Sequence, residues 1–238
     1  EVRMGKWTRR GVLSAGVLGG TGLVIGIAVR PGNPTETAGH LVTGEGENLL
    51  HIYLKIDDQN RATAILPHSE MGQGAQTALT QMLAEELDAD WDLMRFEEAP
   101  ADAEYANMAV GRGYLFKGVD FPDAVVPTVD GLMLNLADAM GMQVTGGSMS
   151  IRTTGQYFLR AAGASVREML VKTAAKAWGV HAGEIRTAKS MLHHDSSGLS
   201  APYSEFAAAA AEMTPSSTPK LKIGRDTSEL QSRKLISY

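Results

Sequence analysis

The chain has 238 residues, 44% of them hydrophobic and 21% charged, with a formal net charge of -5. This composition supplies a core for one or two packed domains and argues against disorder throughout. The acidic balance, with no Lys/Arg cluster beyond the first residues, argues against a nucleic-acid binder, which needs many cations to neutralise phosphates. Cysteine is absent, so the chain alone builds no disulfide, no Cys-ligated zinc and no iron–sulfur cluster. Any redox centre must be organic, ligated by other atoms, or carried by a partner.

Residues 1–30 read as an address. Lys6, Arg9 and Arg10 precede an uncharged stretch, 11–29, rich in Val, Leu, Ile, Ala and Gly, which is the charged-then-apolar order of an export signal. The run Thr8-Arg9-Arg10-Gly11-Val12-Leu13 resembles the twin-arginine signal, which exports proteins already folded around a cofactor. Gly26-Ile27-Ala28 leads straight into Val29-Arg30 without a clean cleavage site, so retention as a membrane anchor stays open. The expected location is the periplasm or the periplasmic face of the cytoplasmic membrane, with membrane contact only through this segment. Met4 reads as the natural start.

Residues 31–48 are Pro-, Gly- and Thr-rich and read as a linker. A domain is expected over 49–213. Residues 51–56 alternate, Asp57-Asp58-Gln59-Asn60 is turn chemistry and 62–66 is again extended, which predicts a β-hairpin. Leu79, Met82, Leu83 and Leu87 fall at helical spacing over 75–87, and 94–97 reads as a strand. Residues 99–144 are broken by Gly111, Gly113, Gly118, Pro122 and Pro127 and read as a long excursion, with a helical period over 129–140. The clearest helix is 155–178, where Phe158, Ala161, Ala162, Ser165, Met169, Ala174 and Ala177 form a small-residue stripe that predicts close packing on a sheet. Beyond it, 185–192 predicts a strand, 193–198 a turn, and Ser204 the N-cap of an Ala-rich helix ending near Met213. Residues 214–238 are unpatterned and expected to be an unstructured tail. The class is therefore α/β, an α+β arrangement on a mixed sheet.

Two glycine loops stand where chemistry is expected. Met71-Gly72-Gln73-Gly74 lies between a strand and a helix start, where free backbone N–H groups and the helix dipole favour an anionic or hydrogen-bonding ligand. Thr145-Gly146-Gly147-Ser148-Met149-Ser150 leads toward the long helix and adds hydroxyl donors. Each loop taken singly is more often a plain helix cap than a ligand site, and neither fits a P-loop or a dinucleotide fingerprint.

The run His68-Ser69-Glu70-Met71-Gly72-Gln73-Gly74, continuing through Thr77-Ala78-Leu79 and Leu83-Ala84-Glu85-Glu86-Leu87 to Asp90-Trp91, resembles the molybdopterin-binding large subunits of the xanthine dehydrogenase and aldehyde oxidase family, in the isoquinoline 1-oxidoreductase β-subunit branch. Ala99-Pro100-Ala101-Asp102, Tyr105-Ala106-Asn107, Thr145 through Arg152, Arg160 through Ala164 and Ala177-Trp178-Gly179-Val180 extend the resemblance in order over 49 to about 206. It implies part of a molybdenum-cofactor-binding domain, with Met71, Gly72, Gln73, Gly147, Ser148, Met149 and Ser150 as cofactor contacts. It also implies a molybdopterin cofactor, plain or as the cytosine dinucleotide. The reaction implied is oxidation of N-heterocycles or aldehydes by oxygen from water. A small subunit with two [2Fe-2S] clusters and, in exported members, a cytochrome c would carry the electrons away.

The family's general-base glutamate lies near the far C-terminus of subunits several times longer than this chain. The expectation is therefore a leading, truncated or split part of a large subunit that needs the rest of that subunit and assigns no catalytic residue here. The alternative is a non-catalytic cofactor-binding or assembly protein of the same fold. Elsewhere, His193-His194 reads as a hairpin end rather than a metal pair, since neighbours on a strand face opposite ways. In Glu85-Glu86 one residue is expected to face solvent. Trp91 and Trp178 read as packing anchors, and Met82, Met133, Met140 and Met169 as core fillers.

Overall fold

The computed structural model describes residues 39–107, 129, 140–146, 148, 150–216 and 218–222. The expected export segment, the helical period over 129–140 and Met133 lie outside them, apart from the isolated Val129 and Met140. Among the described residues no helix is long and apolar enough to cross a membrane.

The first sheet contains β1 (Glu47–His51), β2 (Leu54–Asp57), β3 (Ala62–Leu66) and β4 (Met94–Glu98), in that order across the sheet. β1, β2 and β3 run antiparallel, whereas β4 lies parallel to β3. Such parallel pairing needs a crossover, and α1 (Ala75–Leu87) supplies it. Asp57 fixes the β2–β3 turn by accepting the N–H groups of Gln59 and Arg61 at 2.9 Å each. The structure corrects the expected single strand over 51–56, which turns at Ile52-Tyr53 to become two paired strands. It also places a helical turn at 39–42 and β1 from Glu47 inside the stretch read as linker.

Lys55 is buried on β2, where a lone ammonium would be costly. Its Nζ lies 2.9 Å from both Glu47 and Glu97 and donates to the Val42 carbonyl at 2.6 Å. Burial alone would lower its pKa, yet the two carboxylates raise it above the usual lysine range.

Ser150–Leu159 forms a π-helical segment that runs directly into α2 (Arg160–Trp178). The expected helix thus starts earlier, inside the second glycine loop. The small-residue stripe does permit close packing, but chiefly against α1 rather than a sheet. A Cβ on Gly163 would sit 2.4 Å from the Leu83 carbonyl oxygen, and one on Gly155 2.6 Å from Met82 Sδ. This seam also holds Glu86 fully buried, gripped by Arg160 Nε at 2.9 Å and Nη2 at 2.7 Å. Glu85 is exposed, as the divergence of adjacent helical residues requires.

The second sheet is an antiparallel set of β5 (Ile185–Ala188), β6 (Met191–His194) and β7 (Leu199–Pro202). The run read as one strand over 185–192 is a hairpin whose turn residues, Lys189 and Ser190, both have positive φ, as the right-handed strand twist favours. His193 and His194 belong to β6, and no group of three metal-capable side chains occurs among the described residues. α3 (Tyr203–Ala211) is capped by Pro202 rather than Ser204. Trp178 anchors α2 edge-on against Phe206 at 5.6 Å, and Met169 is buried, but Trp91 is 49% and Met140 63% exposed, so neither fills the core. Part of the expected tail lies along the helices. Ser216 N–H donates to Ser165 Oγ at 2.9 Å, Lys220 N–H to Glu168 at 2.7 Å and Lys222 N–H to Glu86 at 2.6 Å.

Candidate functional site: two loop stems joined by a buried polar cluster

The first glycine loop leaves β3 at Pro67 and enters α1 at Ala75. Gly72 and Gly74 take φ of 89° and 73°, left-handed values that glycine adopts without the strain of a Cβ. The helix N-terminus does offer free N–H groups, and the chain itself takes up two of them. Glu70 Oε1 accepts from Gly74 N–H at 2.8 Å and Oε2 from Gln76 N–H at 3.2 Å. These backbone donors, Gly74 first, hold the Glu70 carboxyl below its ordinary range. Gln73 likewise turns inward, donating from Nε2 to the Ser69 carbonyl at 2.9 Å and accepting the Met71 N–H at 2.5 Å. Met71 is 68% exposed, and Gly72 and Gln73 are exposed beside it.

In the second loop, Gly147 and Met149 lie outside the described residues. Ser148 is exposed, with φ of 60°, a left-handed conformation uncommon for a side chain. Ser150 is buried as the first residue of the π-helical segment. Among the described residues no hydrogen bond joins Met71, Gly72 or Gln73 to Ser148 or Ser150.

The stems of the loops meet instead. Ser69 N–H donates to Thr145 Oγ1 at 2.9 Å. His68 is buried between the stems, with Nε2 2.8 Å from Thr154 Oγ1 and Nδ1 3.4 Å from Thr145 Oγ1. Burial pushes its pKa down to about 4, against a smaller opposing pull from a hydrogen bond to the Val144 carbonyl. The imidazole is therefore neutral near pH 7. In the neutral ring one nitrogen donates and the other accepts, so which of the two threonine hydroxyls donates to His68 follows its tautomer.

Asn107 completes the junction from a third direction. Its N–H donates to the Met142 carbonyl at 3.0 Å, and its Nδ2 donates to the Val144 carbonyl at 2.8 Å and to the Pro67 carbonyl at 3.4 Å. The side-chain amide thus links the end of β3 to the approach of the second loop. Its Oδ1 is buried and has no hydrogen-bond partner among the described residues.

The sequence reading picked the loop tips and missed this junction. His68, Asn107 and Thr145 all stood within the runs that carry the resemblance, but nothing in their spacing ties 68 to 107, 145 and 154. Those links are made by the fold. Glu70 was also missed as the internal anion of the first loop, although an acidic residue just before a helix start is a capping signal.

No family model matches the chain. Its sequence is 35% identical over 161 residues to the isoquinoline 1-oxidoreductase subunit beta of Brevundimonas diminuta, covering 66% of this chain and 16% of that protein. It is 26% identical over 187 residues to a membrane-bound aldehyde dehydrogenase [pyrroloquinoline-quinone] of Gluconacetobacter polyoxogenes, covering 78% of this chain and 19% of that one. Among solved structures, quinoline 2-oxidoreductase from Pseudomonas putida 86 overlaps 66% of this chain and 15% of its own, with 14% identity and a TM-score of 0.41, a distant likeness that leaves the assignment with the sequence match. The chain spans less than a fifth of the length of the curated relatives it matches. By sequence it belongs to the molybdopterin-binding hydroxylase large subunits of the isoquinoline 1-oxidoreductase β-subunit type.

Proposed function

We propose that this chain forms one wall of a molybdopterin site in an exported hydroxylase that oxidises N-heterocycles or aldehydes, and that it is inactive alone. The observation that carries the reading is the junction of the two glycine-loop stems through His68, Thr145, Thr154 and Asn107. Loops that leave element ends together form the crevice in which α/β units take ligands. The residues suit the group. Asn107 Oδ1 is a buried acceptor without a partner, suited to an organic ring carrying N–H donors. The residues that the family resemblance assigns to the cofactor are Met71, Gly72, Gln73, Gly147, Ser148, Met149 and Ser150. Glu70 already accepts two N–H groups at the start of α1, those of Gly74 and Gln76, so the first loop offers an anion fewer free donors than a bare helix N-terminus.

When bound, the molybdenum centre would supply the oxidation of an electron-poor carbon with oxygen from water. This chain's own part is to bind and orient the cofactor, with His68 kept neutral and fixed between the stems. The remainder of the large subunit, an iron–sulfur subunit and a cytochrome c are the partners this reading requires, and the cytosine dinucleotide is the form left open. Arg9-Arg10 ahead of an apolar run supports twin-arginine export to the periplasm.

The test is to express the chain in a host that makes the cofactor and measure released pterin per chain, for wild type and for Gly147→Val. Pterin on the wild type, lost in the variant, is expected, with no oxidation of quinoline, isoquinoline or aldehydes by an artificial acceptor. A wild type without pterin overturns the cofactor reading, and turnover by the chain alone overturns its dependence on further parts.

A further inference from the structure

A primary amide has donors on one side and an acceptor on the other. In Asn107 these sides meet different fates. The donor side is committed, to Val144 O at 2.8 Å and Pro67 O at 3.4 Å. The acceptor side is not, although the residue is only 5% exposed. Leaving a buried carbonyl oxygen without a donor costs its full desolvation, and such an orphan is rare enough to need a cause. An asparagine serving only as a clip has no use for that position of the oxygen, since its NH2 alone joins the two stems.

The surroundings restrict what can pair with it. Amide planarity holds Oδ1 in the plane set by the two donated bonds, so the oxygen cannot turn away from the interior without releasing Val144 and Pro67. Among the described residues the other polar side chains of the junction already have partners: Thr154 pairs with His68, and Thr145 with His68 and the Ser69 N–H. His68, neutral at ordinary pH, brings no charge to the cluster. The site therefore offers a neutral, fixed, buried acceptor between two glycine loops. Such a group discriminates by hydrogen-bond donation rather than by charge.

We propose that Asn107 is a ligand-reading residue: its NH2 holds the two loop stems together, and its Oδ1 accepts an N–H from an aminopyrimidinone-type ring bound between them. The choice of ring rests on the cofactor reading above. The assignment of the acceptor rests on the hydrogen bonding of Asn107 alone. A ring with its N–H groups blocked leaves Oδ1 buried and unpaired, and so binds at least about tenfold more weakly.

The experiment uses the whole chain and two probes: isocytosine, whose ring N–H and amino group are donors, and its fully N-methylated counterpart, which has none. Affinities are measured by titration calorimetry for wild type, Asn107→Leu and Asn107→Asp, with thermal melts alongside. The wild type is expected to prefer isocytosine about tenfold or more, and Asn107→Leu to lose that preference. Asn107→Asp keeps an acceptor oxygen but loses the clip, so it should melt lower and keep the preference. A purely structural role would weaken both probes alike. Preference surviving in Asn107→Leu, preference lost equally in both variants, or no binding of either probe to the wild type overturns the inference. Pterin retained on Asn107→Leu sinks this inference and leaves the cofactor reading. A pterin-free wild type that still shows the Asn107-dependent preference sinks only the cofactor reading.

Discussion

Two stretches of the same loop system, a few residues apart, are stabilised in opposite ways. From Ser69 to Gly74 most hydrogen bonds close within the loop itself: Glu70 caps α1, and Gln73 folds back on Ser69 and Met71. At His68 the partners are remote in sequence, at Thr145 and Thr154, with Asn107 bridging the same two segments. The tip is exposed and the stem junction is buried. An exposed loop with local bonds can change without disturbing the fold, and a buried junction with long-range bonds cannot. A ligand site on this plan has a rigid floor and an adjustable rim.

The largest expected effect tests the scaffold beneath both. Gly163→Val would drive a side chain into the Leu83 carbonyl, 2.4 Å from the new Cβ, and helix backbone has little room to retreat. A loss of about 3 kcal/mol or more is expected by the logic of overpacking, read from denaturant melts. Gly72→Val is the matched control in the tip. It meets no atom within 4 Å but must hold φ near 89°, so about 1 kcal/mol of strain is expected. Equal losses at the two positions would erase the distinction between floor and rim.

Next comes the junction itself. His68→Ala leaves the Thr154 hydroxyl and the Val144 carbonyl without their imidazole partner and opens a cavity. About 2–3 kcal/mol of destabilisation is expected, together with faster amide exchange at Ser69 as Thr145 loosens. Unchanged exchange at Ser69 would show that the stems stay joined without the histidine.

Acid sharpens the same comparison. Burial holds His68 and His51 near pKa 4, below the ordinary 6.5. A pKa depressed on folding means the unfolded chain takes up the proton first. Each histidine's full stabilising contribution is therefore present above about pH 6.5 and lost as pH falls toward 4, by up to about 1.4 kcal/mol per pH unit each. The side chains hydrogen-bonded to His68 are threonines, and Tyr53 stacks on His51, so among the described residues no ion pair to either ring offsets this. Stability measured from pH 7 to 4.5 should fall in wild type and fall less steeply in His68→Ala. A flat profile would mean that both rings are solvated.

The division between tip and stem also marks what could be read in advance. Helix α1, the β2–β3 hairpin and the long helix announced themselves through spacing, because apolar periodicity and turn residues act over a few positions. The small-residue stripe correctly implied a close neighbour, but its identity, α1 instead of a sheet, depends on tertiary packing. The split of 51–56 and the hairpin within 185–192 turn on single junctions: Ile52-Tyr53 in one case, and two positive-φ residues, Lys189 and Ser190, in the other. Neither carries the glycine or proline that usually advertises a turn. At the site, the glycines drew attention to the tip, while the junction stayed hidden because 68, 107, 145 and 154 share no period. Burial of Glu86 was hidden for the same reason, since its partner Arg160 stands on another helix.

The smallest expected effect on stability is the most telling about role. Gln73→Ala removes one bond to the Ser69 carbonyl and one from the Met71 N–H, both exposed to water. Water can replace each of them, so a loss under about 0.5 kcal/mol is expected, with melting indistinguishable from wild type within a degree or two. If Gln73 serves only the loop, that is the end of its influence, and pterin recovered per chain stays constant. On the proposed function the same substitution removes an amide able to donate and accept at once from the rim of the site, and pterin content falls while the melt does not. The reverse pairing, a large drop in melting with pterin unchanged, would make Gln73 part of the floor and reverse the assignment of tip and stem.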